Sequence, residues 1–130
     1  MNSSEIFEAF DKGELKLPQG NILFESIPWV KHPVFEGVEL KHILKGKDTD
    51  EKFSYHLVRI AENKSIKNHI HETQLETHEV ISGRGTCINN GIMLTYEPGV
   101  ISIFPVGVSH EVNAGEEGLY LFAKFFPPLC

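Results

Sequence analysis

From Gly20 onward, glycine and proline turns interrupt the chain about every 8–12 residues, leaving stretches too short for ordinary helices. The turns are Gly46-Lys47-Asp48-Thr49-Asp50, Ser82-Gly83-Arg84-Gly85, Asn89-Asn90-Gly91, Glu97-Pro98-Gly99, Pro105-Val106-Gly107 and Gly115-Glu116-Glu117-Gly118. The runs between them are rich in β-branched and aromatic residues. Residues 53–61 alternate, with Phe53, Tyr55 and Leu57 on one face and His56, Val58 and Ile60 on the other. Either Tyr55 or His56 faces the interior, and the pattern does not choose between them. Residues 100–104 form a short apolar run that reads as buried on both faces. Asn89-Asn90-Gly91 has the chemistry of a tight hairpin, because Asn and Gly accept positive φ. Around ten short strands are expected, which makes the fold class all-β, a barrel or sandwich.

The one helical signal lies at the start. Asn2 and Glu5 have capping-box spacing, Ile6, Phe7 and Phe10 make a small apolar face, and Gly13 ends the pattern. A docking segment without chemistry is expected there. The 130 residues suit one domain, with a core large enough to hold without disulfides.

Charge and cysteine usage exclude several partners. Twelve basic against eighteen acidic residues leave a net charge of −6, which argues against a nucleic-acid groove or an anionic membrane surface. No basic leader and no long apolar run is visible, so neither a signal peptide nor a membrane span is expected. Cys87 and Cys130 have no spacing that demands a bridge, and a reduced, cytoplasmic protein is the simpler expectation. Asn2-Ser3-Ser4 and Asn63-Lys64-Ser65 match the glycosylation pattern but are idle without secretion.

The chemistry-bearing signal is histidine. Of seven, four fall between 69 and 110. His69 and His71 are two apart, so on a strand both imidazoles point to the same face. Glu76 follows after a short turn, and His110 lies one hairpin pair downstream, just past Gly107. Three imidazoles and one carboxylate would suit a divalent first-row ion: iron, manganese, nickel, cobalt or zinc.

These residues carry a resemblance. His69-Ile70-His71, four residues, Glu76, six residues and Gly83 are in register with the first motif of the cupin superfamily. Gly99, five residues, Pro105-Val106-Gly107, two residues and His110 are in register with the second. Two positions depart: Asn63 stands where the first motif opens with glycine, and Ala114, next to Asn113, stands where the second closes with asparagine. The resemblance implies a double-stranded β-helix, the cupin or jelly-roll barrel, as one domain over residues 1–130, with motif one at 69–83 and motif two at 99–110. It also implies that His69, His71, Glu76 and His110 coordinate one divalent transition metal per chain inside the barrel.

His78 lies two positions beyond Glu76 and should share its inward face. Three roles are open to it: a catalytic proton shuttle, a hydrogen-bond partner that orients a ligand, or, if the strand slips, a solvent-facing residue. Gln74 is an alternative ligand should Glu76 turn away. His32 sits in a proline-flanked turn outside both motifs and is expected to be neutral towards the metal. The apolar stretch 119–130, above all Phe125, Phe126 and Leu129, exceeds what a small core absorbs and suggests a homodimer, as does the dimeric habit of small cupins.

No P-loop, dinucleotide fingerprint, H-E-x-x-H pair, nucleophile elbow or zinc-finger cysteine pair is present. Metal chemistry on a small molecule held in the barrel is the reaction class left with support. An enzyme of oxygenase, isomerase or lyase type is the first expectation, and a non-catalytic binding or sensor protein the alternative.

Overall fold

The computed structural model describes residues 3–130. Helix α1 covers Ser3–Asp11, and ten strands follow: β1 Glu14–Leu17, β2 Gly20–Leu23, β3 Val30–Lys31, β4 Val38–Leu44, β5 Ser54–Ile60, β6 Ser65–Ile70, β7 Leu75–Asn89, β8 Ile92–Tyr96, β9 Ile101–Phe104 and β10 Ser109–Phe126. The Asn2 cap lies outside the described residues. Strands β1 and β2 form a separate hairpin, and β1 is an element that the turn pattern beyond Gly20 does not reveal.

The topology is an all-β jelly roll organised by two long strands. Strand β10 pairs with β5 and the first half of β7 over Leu119–Phe125, and with β6 and the second half of β7 over Ser109–Asn113. Strand β7 in turn carries β9 beside Glu76–Glu79 and β8 beside Gly85–Asn89. The sheet order is β3-β4-β5-β10-β7-β8, with β6 on β10 and β9 on β7.

Two glycine clusters read as chain reversals are corners instead. β7 runs on through Gly83 and Gly85, and β10 runs on through Gly115 and Gly118, with a register shift between Ala114 and Leu119. Gly83 has φ +83°, and a Cβ there would sit 2.2 Å from the Gly118 carbonyl oxygen. A Cβ on Gly85 would lie 2.1 Å from the Asn113 carbonyl oxygen. Glycine is required because two backbones meet at van der Waals distance, and it bends both strands without ending them. The Asn90-Gly91 turn, with φ of +51° and +82°, is the expected tight hairpin. Asn63 takes φ +57°, a left-handed conformation that Asn tolerates, so the substituted motif position keeps its turn.

The core lies on the inner face. Val38, Val58, Ile60, Val80, Phe104, Val112, Leu119, Leu121 and Phe125 are buried in one cluster. Phe24, Ile43 and Leu57 form a second cluster with Trp29 and Phe122. Helix α1 docks there: Phe7 stacks on Tyr120 at 4.2 Å, and Phe10 packs edge-on against Phe122 at 5.5 Å. Lys41 is buried and binds Asp11 at the end of α1 at 2.7 Å and the Phe24 carbonyl at 2.8 Å.

One expectation about apolar residues is corrected, and another holds for two of its three residues. Strand β9 is buried on one face only: Ser102 and Phe104 point inward, while Ile101 and Ile103 are 69% and 52% exposed. It pairs with β7 along one edge, and among the described residues nothing covers its outer face. In the terminal stretch, Phe125 is core, while Phe126 and Leu129 are each 38% exposed. Alternation along β10 absorbs most of the surplus.

Candidate metal centre

Strand pairing brings the motif histidines together. His69 on β6 and His110 on β10 are directly paired, their rings 4.2 Å apart. His71 follows β6 on the same side as His69, ring centroids 5.0 Å apart and nearly perpendicular. Glu76, second residue of β7, reaches in from the next strand. One ligand atom from each of His69, His71, Glu76 and His110 lies within 4.8 Å of the others. A second cluster, His42, His56 and Cys130, meets the same criterion elsewhere in the fold.

Two of the three imidazoles are oriented by their other nitrogen. His69 Nδ1–H donates to the Lys67 carbonyl at 2.8 Å, and His110 Nδ1–H to the Val108 carbonyl at 3.4 Å. That leaves both Nε2 atoms as bare acceptors. Phe104 stacks on the His110 ring at 4.0 Å, and Phe125 packs edge-on against His71 at 5.4 Å.

Glu76 Oε1 lies 3.1 Å from His110 Nε2 and 3.2 Å from His71 Nε2. Yet Glu76 Oε1 and His110 Nε2 are buried atoms without a hydrogen-bond partner. Two lone pairs facing each other at that distance, out of water, are repulsive unless a cation or proton lies between them. The donor set therefore fits a divalent metal ion. Burial pushes the Glu76 carboxyl up, but His78 is the largest opposing influence, and the group is held well below the usual carboxylate range. Burial lowers the His69 imidazole despite its bond to Lys67, which favours the neutral form a ligand needs.

His78 is buried, so the solvent-facing alternative is removed. Its Nε2–H donates to Glu76 Oε2 at 2.6 Å, and its Nδ1 accepts from the Tyr96 hydroxyl at 3.1 Å. Tyr96 in turn makes short contact with Ser102 Oγ and bonds Cys87. Burial raises the Tyr96 phenol far above its ordinary value, so it stays a donor. Tyr96 and Ser102 were not legible as site residues; the one signal was that an inward His78 needs a buried partner on β8 or β9.

Gln74 turns away from the cluster, its amide donating to the Pro128 carbonyl at 2.9 Å. His56 faces inward, its ring edge-on to Phe125, and Tyr55 packs outside against Phe122. His32, outside both motifs, nonetheless lines the same cavity as His69, His71, Glu76 and His78. The cavity holds about 240 Å³, and Phe35, Val38, Leu40, Val58 and Ile66 make its wall largely apolar. The turn carrying His32 folds back because Nδ1 accepts the N–H groups of Val34 and Phe35, both at 3.1 Å.

A jelly roll with three imidazoles and a carboxylate converging in an apolar-walled cavity defines a class of β-proteins built around a metal-ready pocket. The family profile Cupin_2, cupin domain, matches residues 56–123, more than half the chain, and the protein belongs to that family. A predicted oxalate decarboxylase from Thermotoga maritima shares the fold at a TM-score of 0.73 and 22% identity, over 79% of this chain and 95% of that one. KdgF from Halomonas sp. does so at 0.70 and 18%, over 79% and 88%. The polyketide cyclase RemF from Streptomyces resistomycificus does so at 0.68 and 19%, over 79% and 75%. No curated protein matches the chain in sequence.

Proposed function

We propose that this protein is a metal-dependent cupin enzyme that binds one divalent transition ion through His69, His71, Glu76 and His110 and acts on a small metabolite in the adjoining cavity. The observation that carries this reading is the unpartnered pair, Glu76 Oε1 and His110 Nε2, buried 3.1 Å apart and both aimed into the cluster. Iron, manganese, nickel, cobalt and zinc all suit the donor set. When bound, such an ion would supply Lewis acidity or, if redox-active, oxygen activation. The chain supplies the rest. His69 and His110 are held in one tautomer, Glu76 is held by His78, and Phe104 and Phe125 shield the imidazoles from water. His78, which lines the cavity, is the candidate proton carrier at Nε2, its ring held in place by the Tyr96 hydroxyl at Nδ1.

An apolar wall of this size favours a compact substrate with oxygen atoms at one end, those that would replace metal-bound water. Solved relatives of this fold span different chemistries by name, a decarboxylase and a cyclase among them, so oxygenase, isomerase and lyase types are all compatible. We propose one cupin unit over residues 1–130 with its curled sheet closed as a double-stranded β-helix, and a homodimer in a reducing, cytoplasmic setting. Both cysteines are free. Among the described residues no helix is long and apolar enough to cross a membrane.

The test is metal content. After identical dialysis, His69→Ala and His110→Ala should retain far less metal per chain than wild type, and Asn68→Ala, altering the exposed residue beside His69, should match wild type. Equal metal content in all four proteins would overturn the assignment.

A further inference from the structure

The cluster of His42, His56 and Cys130 lies outside both motifs and has no part in the site above. His42 on β4 and His56 on β5 are a direct cross-strand pair. Their Nδ1 atoms are 2.7 Å apart, with the rings perpendicular and 4.9 Å between centroids. One nitrogen from each, together with Cys130 Sγ, falls within 4.8 Å.

The cysteine is held there by the fold. The Pro128 carbonyl is held by Gln74, the Leu129 N–H donates to Ser54 Oγ at 2.8 Å, and the Cys130 carbonyl accepts the Gly46 N–H at 2.7 Å. His56 is braced in the same way. Its Nε2 is 2.7 Å from Ser54 Oγ, the outer-shell contact that ligating imidazoles use to fix their orientation. His56 is buried and His42 half-buried, while Cys130 is exposed, which leaves an entry path for an ion.

We infer that His42, His56 and Cys130 form a second metal site, a three-ligand N2S set with an open fourth position, suited to zinc or another borderline-soft divalent ion. Zinc–nitrogen bonds of about 2.0–2.1 Å in tetrahedral geometry put two nitrogens about 3.3 Å apart, so the imidazoles need separate by only about 0.6 Å. Binding releases the Cys130 thiol proton to solvent, and the proton shared between the two Nδ1 atoms moves to the Nε2 of the ring that carried it, so both imidazoles stay neutral. The proton that stays on His56 then sits on Nε2 and donates to Ser54. Burial, with His42 alongside, pushes the His56 imidazole down to about 3, and burial lowers His42 as well, so both rings are uncharged and ready to ligate at neutral pH. Leu129, next to Cys130, forms part of the wall of the cavity beside His69 and His71.

The experiment is a cobalt(II) titration of chelator-stripped protein in a non-chelating reductant, reading bound metal per chain and thiolate-to-cobalt charge-transfer absorption. Wild type should bind two equivalents and show the thiolate band. Cys130→Ser and His42→Ala should each lose the band and weaken one equivalent by more than about 100-fold, since losing even an outer-shell partner costs about 10–100-fold. Cys130 is exposed and His42 only half-buried, so neither change removes a fully buried residue. His69→Ala should keep the band while losing the other equivalent, which separates failure at one site from failure at the other. A wild type without the thiolate band, or a band that survives in His42→Ala, would overturn the second site.

Discussion

His78 Nε2 lies 2.6 Å from Glu76 Oε2, two positions along one strand, and this contact turns the other carboxylate oxygen, Oε1, toward His71 and His110. Side chains two apart on a strand share a face, so an ordinary extended backbone supplies both the candidate ligand and the group that aims it.

Replacing His78 by Leu frees Glu76 Oε2 and leaves Tyr96 without its acceptor. Metal retention should fall about 10–100-fold, as expected for loss of an orienting partner. Tyr96→Phe should have the smaller effect, since His78 still holds Glu76. If His78→Leu keeps full metal content and loses turnover, the proton-carrier role stands in place of the orienting one. Metal analysis alongside single-turnover assays reads the difference.

The His32 ring is a folded-state acceptor for two backbone N–H groups, and burial lowers its pKa below 6.5. Between that lowered value and 6.5 the unfolded chain binds more protons than the folded one. Stability therefore rises with pH across the window and is lost as pH falls through it. His32→Asn keeps an acceptor at the same place and cannot titrate. Its melting temperature should match wild type at pH 8 and fall less steeply below pH 6.5. Parallel melting curves for the two proteins from pH 8 to pH 5 would show that His32 does not contribute.

Asp11 and Lys41 join the end of α1 to β4 by a largely buried ion pair. Asp11→Ala strands the Lys41 ammonium against the Phe24 carbonyl and Trp29 and should cost about 3 kcal/mol. Lys41→Met removes the charge and fills the space, and should be nearer neutral; Phe24 O keeps the Ile27 N–H. Urea denaturation of both variants checks the order, and a milder effect for Asp11→Ala would contradict it.

The outer face of β9 presents Ile101 and Ile103. Light scattering at micromolar concentration should report twice the chain mass of 14.7 kDa. Ile101→Glu with Ile103→Glu should halve it. A monomer at every concentration, or a dimer indifferent to the double change, would refute this interface.

What was legible in the sequence was local. Strand parity placed His69 with His71 and Glu76 with His78, and the Asn90-Gly91 turn and the short opening helix follow from period and turn chemistry alone, whereas which face of β5 points inward was left open until pairing placed His56 inside. Motif register adds His110 and the cupin fold, and Asn63 keeps its turn because Asn, like Gly, accepts positive φ.

Alternation states which residues share a face but not what lies opposite that face. Only the tertiary structure decided that Gly83 and Gly118 are corners where β7 and β10 cross, since a glycine that bends a strand and one that reverses a chain are identical in sequence. The same holds for Ile101 and Ile103, apolar yet exposed because β9 lies along one edge of β7 with its outer face uncovered. Tyr96 behind His78, His32 in the cavity wall, and Cys130 beside His42 and His56 are contacts across 18, 37 and more than 70 residues, respectively. Such contacts exist only once pairing along β5, β7 and β10 sets which ends of the chain meet.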